Sequence, residues 1–353
     1  MRCYCTYFDH NYLPRGLALH ESMLRHCGEF QLWVLCLSDL AFDVMTRLSL
    51  PSVRLIRLAD FESGDGPLLN AKQDRSIYEY YFTCTPSLPL YVLRHCPEAD
   101  LVTYIDCDMF FYSDPQTVFD EIAGHSIVII EHRFPPALKA WEINGKYNVG
   151  WVSFRRDENG MACLKWWRER CLEWCKDRIE GDRFADQKYL EKWPALFRNL
   201  LVLQHKGCNT APYNLANYQV RLERGKVWID QDPLVVFHFH GFNQIAPFLY
   251  DPYFHNYKVG MTKALREGIC GPYTQAYHQA RKQVQPFLAG KTPRFKTRSR
   301  NRRISWRRPH KFLYNEYLIL TDRIKHFAAG DYIVCFGRPG RPDPALRRKD
   351  TPL

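Results

Sequence analysis

From residue 1 to about residue 135, short apolar runs alternate with stretches of helical spacing. That alternation restricts the chain to an α/β fold with a mainly parallel sheet, because consecutive parallel strands need a crossover between them, usually a helix. Strands are predicted over Arg2–Tyr7, Gln31–Leu37, Val53–Leu58, Leu101–Ile105 and Ser126–Ile130. Helices fall over Leu13–His26, where Leu17, His20, Glu21 and Leu24 share a face, and over Pro89–His95. Tyr147–Phe154 reads as a further strand, and Met161–Arg178 as a helix carrying Trp166, Trp167, Cys171 and Trp174 at helical spacing. Residues 195–250 are strands and loops with apolar runs at Leu200–Leu203, Val227–Ile229 and Leu234–Phe239. With 353 residues, 46% of them hydrophobic, the chain has material for a large core, which excludes bulk disorder.

The formal net charge of +11 is concentrated in one segment. Lys291–Lys311 holds ten Lys or Arg and no Asp or Glu, so the remainder is near neutral. Such a segment cannot pack a core, and it sets the boundary between a body, 1–285, and an appendage, 286–353, with amphipathic spacing resuming over Phe312–Phe327. The body divides into halves at 1–135 and 136–285. The expected partner of the segment is an anionic membrane surface. The competing reading is a nucleic-acid-binding protein acting through 291–311, with Phe295 and Trp306 interleaved. That reading leaves the acidic motifs unexplained, and no specific nucleic acid is expected.

Thirteen cysteines, an odd number without short paired loops, point to reduced thiols. Cys171 and Cys175 have no second pair nearby, so they read as buried thiols and not as a zinc site. The first residues run into strand-like sequence without an apolar leader, and no apolar run reaches the ~18 residues of a span. A cytoplasmic protein, peripheral to the inner face of the membrane, is expected.

The sharpest chemical feature is Leu101–Asp108, an apolar strand ending in Asp106 and Asp108. Ligands of open α/β sheets bind at the carboxyl ends of strands, and paired carboxylates there suit a divalent cation. An Asp-x-Asp arises about once by chance in a chain of this length, and Asp230-Gln231-Asp232, before Pro233, reads as a turn. Four further motifs accompany the first pair in order: Thr6-Tyr7-Phe8-Asp9-His10-Asn11-Tyr12, Tyr147-Asn148-Val149-Gly150, Asp186-Gln187 and His238-Phe239-His240-Gly241.

Together these five motifs, over roughly residues 1–250, resemble the GT-A nucleotide-sugar glycosyltransferases, most closely the retaining family 8 enzymes. The resemblance implies a GT-A fold, a Rossmann-like sandwich around a mainly parallel sheet, with the basic and helical appendage behind it. It implies a metal-dependent, retaining transfer from a nucleotide-diphosphate sugar, a UDP-sugar above all, to a glycan or lipid-linked acceptor. Thr6, Tyr7, Asp9, Asn11 and Tyr12 would hold the nucleotide. Asp106 would face the ribose and, with Asp108 and His238, the metal, Mn²⁺ being favoured over Mg²⁺ by the imidazole. His240, on the same strand face, is the alternative ligand. Asn148 and Gly150 would meet the donor sugar, Gly241 a phosphate, and Asp186 and Gln187 the anomeric carbon.

The sequence departs from the family in two places. Gln244 stands where a diphosphate-binding Lys is usual, with Lys206 as a candidate replacement. Phe82-Thr83-Cys84-Thr85 stands where an Arg is common, with Lys72 or Arg75 as substitutes. A sugar nucleotidyltransferase is the rival enzyme class, but it wants a Gly-rich phosphate loop after the first strand, and residues 6–16 hold only Gly16.

Overall fold

A computed structural model describes residues 1–288 and 323–335. The central sheet contains β1 (Arg2–Phe8), β2 (Phe30–Cys36), β3 (Val53–Arg57), β4 (Leu101–Ile105), β6 (Ile127–Glu131), β7 (Tyr147–Arg155) and β8 (Leu200–Val202). A short β5 (Met109–Phe111) leaves it after β4. The order is β3-β2-β1-β4-β7-β6-β8. β3, β2, β1 and β4 run parallel, β7 is antiparallel to both its neighbours, and β8 is parallel to β6. This is the α/β, mainly parallel architecture expected from the alternation.

Strand side chains alternate between two cores, as the pleat requires. Val102, Tyr104 and Val152 face one layer with Leu35 and Trp167, while Ile105 and Trp151 face the other with Tyr4 and Val34. Thr103 and Ser153, opposite each other on β4 and β7, satisfy their buried hydroxyls with a 2.9 Å hydrogen bond.

Two predicted elements differ in extent. The Trp-rich helix covers Glu158–Glu173, begun by Asp157 accepting from the Gly160 N–H at 2.8 Å. Trp174 adopts extended backbone (φ −153°, ψ 123°), and its ring is buried without the helix continuing to Arg178. The Leu234–Phe239 run forms a strand only at Val236–His238, which pairs antiparallel with β5.

Lys291–Lys311 and most of Phe312–Phe327 lie outside the described residues, of which 323–328 are helical. Ile333–Val334 returns to the body, pairing with Leu249–Asp251, and Arg266 donates to the Tyr332 carbonyl at 3.0 Å. All thirteen cysteines are free, Cys171 and Cys175 among the twelve that are buried. Among the described residues no helix is long and apolar enough to cross a membrane.

Candidate active site

The segments following β1 and β4 border a cleft of about 540 Å³, a size typical of small-molecule sites. Its floor is made by local chain geometry. β4 stops at Ile105, Asp106-Cys107-Asp108 turns into β5, and β5 pairs with Val236–His238 so that His238 lies opposite Met109. The Phe239 N–H donates to the Asp108 carbonyl at 2.9 Å and locks the register.

Two carboxylates and an imidazole far apart in sequence therefore converge. His238 Nε2 is 3.2 Å from Asp108 Oδ1 and 3.6 Å from Asp106 Oδ2, and the three ligand atoms lie within 4.8 Å of one another. Tyr104 donates its hydroxyl to Asp106 Oδ1 at 2.9 Å. Burial pushes the Asp106 carboxyl up. At Asp108 burial acts the same way, but His238, with Arg15 and His240, outweighs it and holds the carboxyl below its usual range. Two hard oxygens and one nitrogen at this spacing fit a divalent cation.

A chain of buried amides orients His238. Burial pulls His132 down to about 3, so its ring is neutral. Asn148 Nδ2 approaches its Nε2 at 3.0 Å and must donate, which leaves His132 Nδ1 as donor to the Lys146 carbonyl at 3.3 Å. Asn148 Oδ1 accepts from the Gly150 N–H at 2.9 Å and from Asn209 Nδ2 at 3.2 Å. Asn209 Oδ1 is then an acceptor for His238 Nδ1–H at 3.2 Å, which turns the Nε2 edge of the ring toward the carboxylates. Replacing Asn209 by Leu is expected to weaken Mn²⁺ binding about 10–100-fold, read by electron paramagnetic resonance of free Mn²⁺. Unchanged affinity would remove Asn209 from this role.

Asn148 lines the cleft, and both its Nδ2 and its Oδ1 take part in that chain. Gly150 lies behind the wall: a Cβ there would stand 2.5 Å from Asn148 Oδ1 and 3.1 Å from His238 Nδ1. Its missing side chain makes room for the amide chain, and it does not line the cleft.

On the β1 side, Tyr7, Asp9, Asn11 and Tyr12 line the cleft, while Thr6 is buried outside its wall. Asp9 accepts from both the backbone N–H and Nδ2 of Asn11 at 2.9 Å, so neither residue caps the Leu13–His26 helix, which has no side-chain cap. The Arg15 guanidinium lies 4.4 Å from the Tyr12 ring centre and donates to the Phe242 carbonyl at 2.7 Å. Tyr78, Tyr81 and Phe82, from the helix Ile77–Cys84, face the cleft where the resemblance implies an Arg.

Gln187 lines the cleft with its Nε2 donating to the Asn144 carbonyl at 3.1 Å. Asp186 beside it is 5% exposed. Burial raises its carboxyl to about 7; a hydrogen bond from Thr85 opposes the shift and the charge of Asp106 adds to it.

Several expected residues lie elsewhere. Lys206 pairs with Asp230 at 2.7 Å and stands outside the cleft lining. Asp230 and Asp232 hold the Gln219 and Lys206 N–H groups, as a turn would. Gln244 is buried, held by Arg281 and by the Pro247 carbonyl. Lys72 pairs with Glu62 at 2.6 Å and Arg75 with Asp74. Gly241 (φ +80°) lets the chain pass the Tyr253 ring, 2.2 Å from where a Cβ would stand, and does not line the cleft. His132, Asn209, Tyr213 and Trp141 are site residues that no sequence motif marked. They stand in segments of mixed polarity, where no spacing singles them out.

No protein-family model matches the chain. It is 32% identical over 237 residues to the uncharacterized protein YfnD of Bacillus subtilis (strain 168), covering 66% of this chain and 74% of the relative. It is 31% identical over 251 residues to the uncharacterized protein YfnF of the same organism, covering 69% and 82%. Among solved structures it is similar to apo mouse xyloside xylosyltransferase 1, with 13% identity, a TM-score of 0.45, and 68% of this chain and 98% of that one covered. It is also similar to the galactosyltransferase LgtC in complex with donor and acceptor sugar analogs, with 15% identity, a TM-score of 0.46, and 81% and 100% covered.

Proposed function

The chain belongs to the family of the Bacillus subtilis proteins YfnD and YfnF, and for this family member we propose a metal-dependent GT-A glycosyltransferase acting on a nucleotide-diphosphate sugar. The observation that carries the proposal is the convergence of Asp106, Asp108 and His238 at the end of β4, on the floor of a cleft. Those three residues would hold the cation, and the nitrogen in the set favours Mn²⁺ over Mg²⁺. A divalent ion bound there supplies Lewis-acid charge against the departing diphosphate.

The protein's own groups take the remaining tasks. Tyr12 and the Asp9–Asn11 pair offer a ring face and a carboxylate to a base and ribose, UDP being the donor nucleotide we favour. Gln187 presents an uncharged carboxamide to the sugar. Glu191, four residues beyond Gln187, accepts from the Lys146 N–H at 2.8 Å and does not line the cleft. We favour attack by the acceptor hydroxyl on the face the phosphate leaves, with retention of configuration, on the resemblance of the Asp186-Gln187 motif to the retaining enzymes.

A panel of nucleotide sugars incubated with Mn²⁺ and followed by proton NMR tests the reading. The expected result is chelator-sensitive turnover of a UDP-sugar, with the first-formed product keeping the donor's anomeric configuration. An inverted product would refute retention, and no turnover of any donor would refute the function.

The acceptor we propose is a glycan or lipid-linked sugar, met at the cytoplasmic face of the membrane through Lys291–Lys311, a placement supported by that segment's charge. Because Ile333–Val334 pairs with the body, changing the ten basic residues to Gln is a cleaner test than truncation. Binding to anionic liposomes should be lost while donor turnover is kept.

A further inference from the structure

Tryptophan is highly buried on average in folded proteins, because its indole carries a large apolar surface. This chain follows that rule at Trp151, Trp167 and Trp193, which are fully buried, and breaks it at Trp141, which is 48% exposed. Among the described residues no other Trp is exposed. Trp141 lines the cleft, so the exception falls at the site.

The segment that carries this indole, Pro136–Asn144, is fixed along its length. Leu138 is buried in one cluster with Tyr213 and Tyr257, and the Tyr257 ring stands 5.9 Å from that of Trp141 at 59°. At the end of the segment the Asn144 carbonyl accepts from Gln187 Nε2 at 3.1 Å. Gly145, at φ +126°, lets the chain pass Gln187 closely, since a Cβ there would stand 3.1 Å from Gln187 Cγ. The exposed indole is thus held in place relative to the carboxamide assigned to the donor sugar. A flat apolar surface beside a sugar-transfer centre suits the C–H face of a pyranose, whose hydroxyls lie at the rim.

Charge narrows the ligand further. Asp9, Asp106, Asp108, Asp177 and Asp186 line the cleft, and among the described residues no Lys or Arg does. A divalent ion would balance Asp106 and Asp108, and a donor diphosphate adds negative charge, so an acidic sugar would enter against like charge.

We propose that Trp141 is the platform of the acceptor site, stacking an uncharged pyranoside beside Gln187. The inference rests on the glycosyltransferase reading of the cleft and deepens it, narrowing the acceptor to one whose receiving sugar carries no acid group.

Binding to the full-length protein with UDP and Mn²⁺ present tests this without chemistry. The probes are the methyl glycosides of glucose, galactose, mannose and N-acetylglucosamine, with methyl glucuronide as the acidic counterpart. Acrylamide should quench the tryptophan emission of wild type more than that of Trp141→Phe, and at least one neutral glycoside should protect wild type from quenching. In calorimetric titration Trp141→Ala should weaken that glycoside about tenfold or more and leave UDP affinity unchanged, while Trp141→Phe, which keeps a ring, should recover most of the loss. Methyl glucuronide should bind wild type at least tenfold more weakly than the neutral glycoside. Neutral glycosides that give no protection, unchanged glycoside affinity in Trp141→Ala, loss of UDP affinity in the same proportion, or a glucuronide bound as well as the neutral sugar would each overturn the assignment. Wild-type protein that binds no UDP and turns over no nucleotide sugar would overturn the reading of the cleft and this inference with it. Wild-type protein that binds UDP but no neutral glycoside removes the inference alone.

Discussion

Asp108→Asn is expected to lower metal-dependent turnover about a thousandfold and to abolish the rise in melting temperature that Mn²⁺ gives the wild type. The substitution keeps shape and removes charge from the carboxylate nearest His238 Nε2, at 3.2 Å. Metal stabilisation of a leaving group is worth several kcal/mol, and each ~1.4 kcal/mol is a factor of ten in rate. The melting shift isolates binding from chemistry, since a ligand that binds only the folded state stabilises it by mass action. Some loss of stability without metal is also expected, because the charge of His238 favours ionised Asp108 in the fold. A variant with near wild-type turnover and an unchanged response to chelator would remove Asp108 from the metal site.

That pair was legible because it ends a strand whose apolar run is local information. β4 and the Leu13–His26 helix fall where spacing places them, and β1, β2 and β7 slip by a residue or so at their ends. Where spacing failed, tertiary packing decided. Trp174 sits at helical spacing from Trp167, yet its ring reaches the interior from extended backbone. The His238–Asp108 approach depends on β5 pairing with a strand well over a hundred residues later, which motif order suggested and no periodicity contained. Asn209 and His132 lay beyond reach for the same reason: their roles exist only through amide contacts between distant segments. The missing cations at Gln244 and Phe82-Thr83-Cys84-Thr85 were visible as departures.

The contribution of Asp186 to the stability of the metal-free protein should fall as pH rises from about 4 to about 7, and Asp186→Asn should remove that fall. The Asp186 carboxyl is raised from 3.8 to about 7, chiefly by burial. Below pH 4 both folded and unfolded chains hold this proton, so the group contributes no pH dependence. Between the two values the unfolded chain releases the proton while the folded chain keeps it, and stability falls by at most ~1.4 kcal/mol per pH unit, to a limit of roughly 4 kcal/mol. Above pH 7 both forms are ionised and the difference is constant. Asparagine carries no such penalty, so urea unfolding with chelator present should show the variant level with wild type near pH 4.5 and more stable by a few kcal/mol at pH 7.5. Stability curves that stay parallel across this range would show that the carboxyl does not titrate there. A buried acid that costs the fold this much is kept where function needs it, so the stabilised variant should also lose turnover. Gain of stability together with loss of activity is the combination a purely structural Asp186 would not produce.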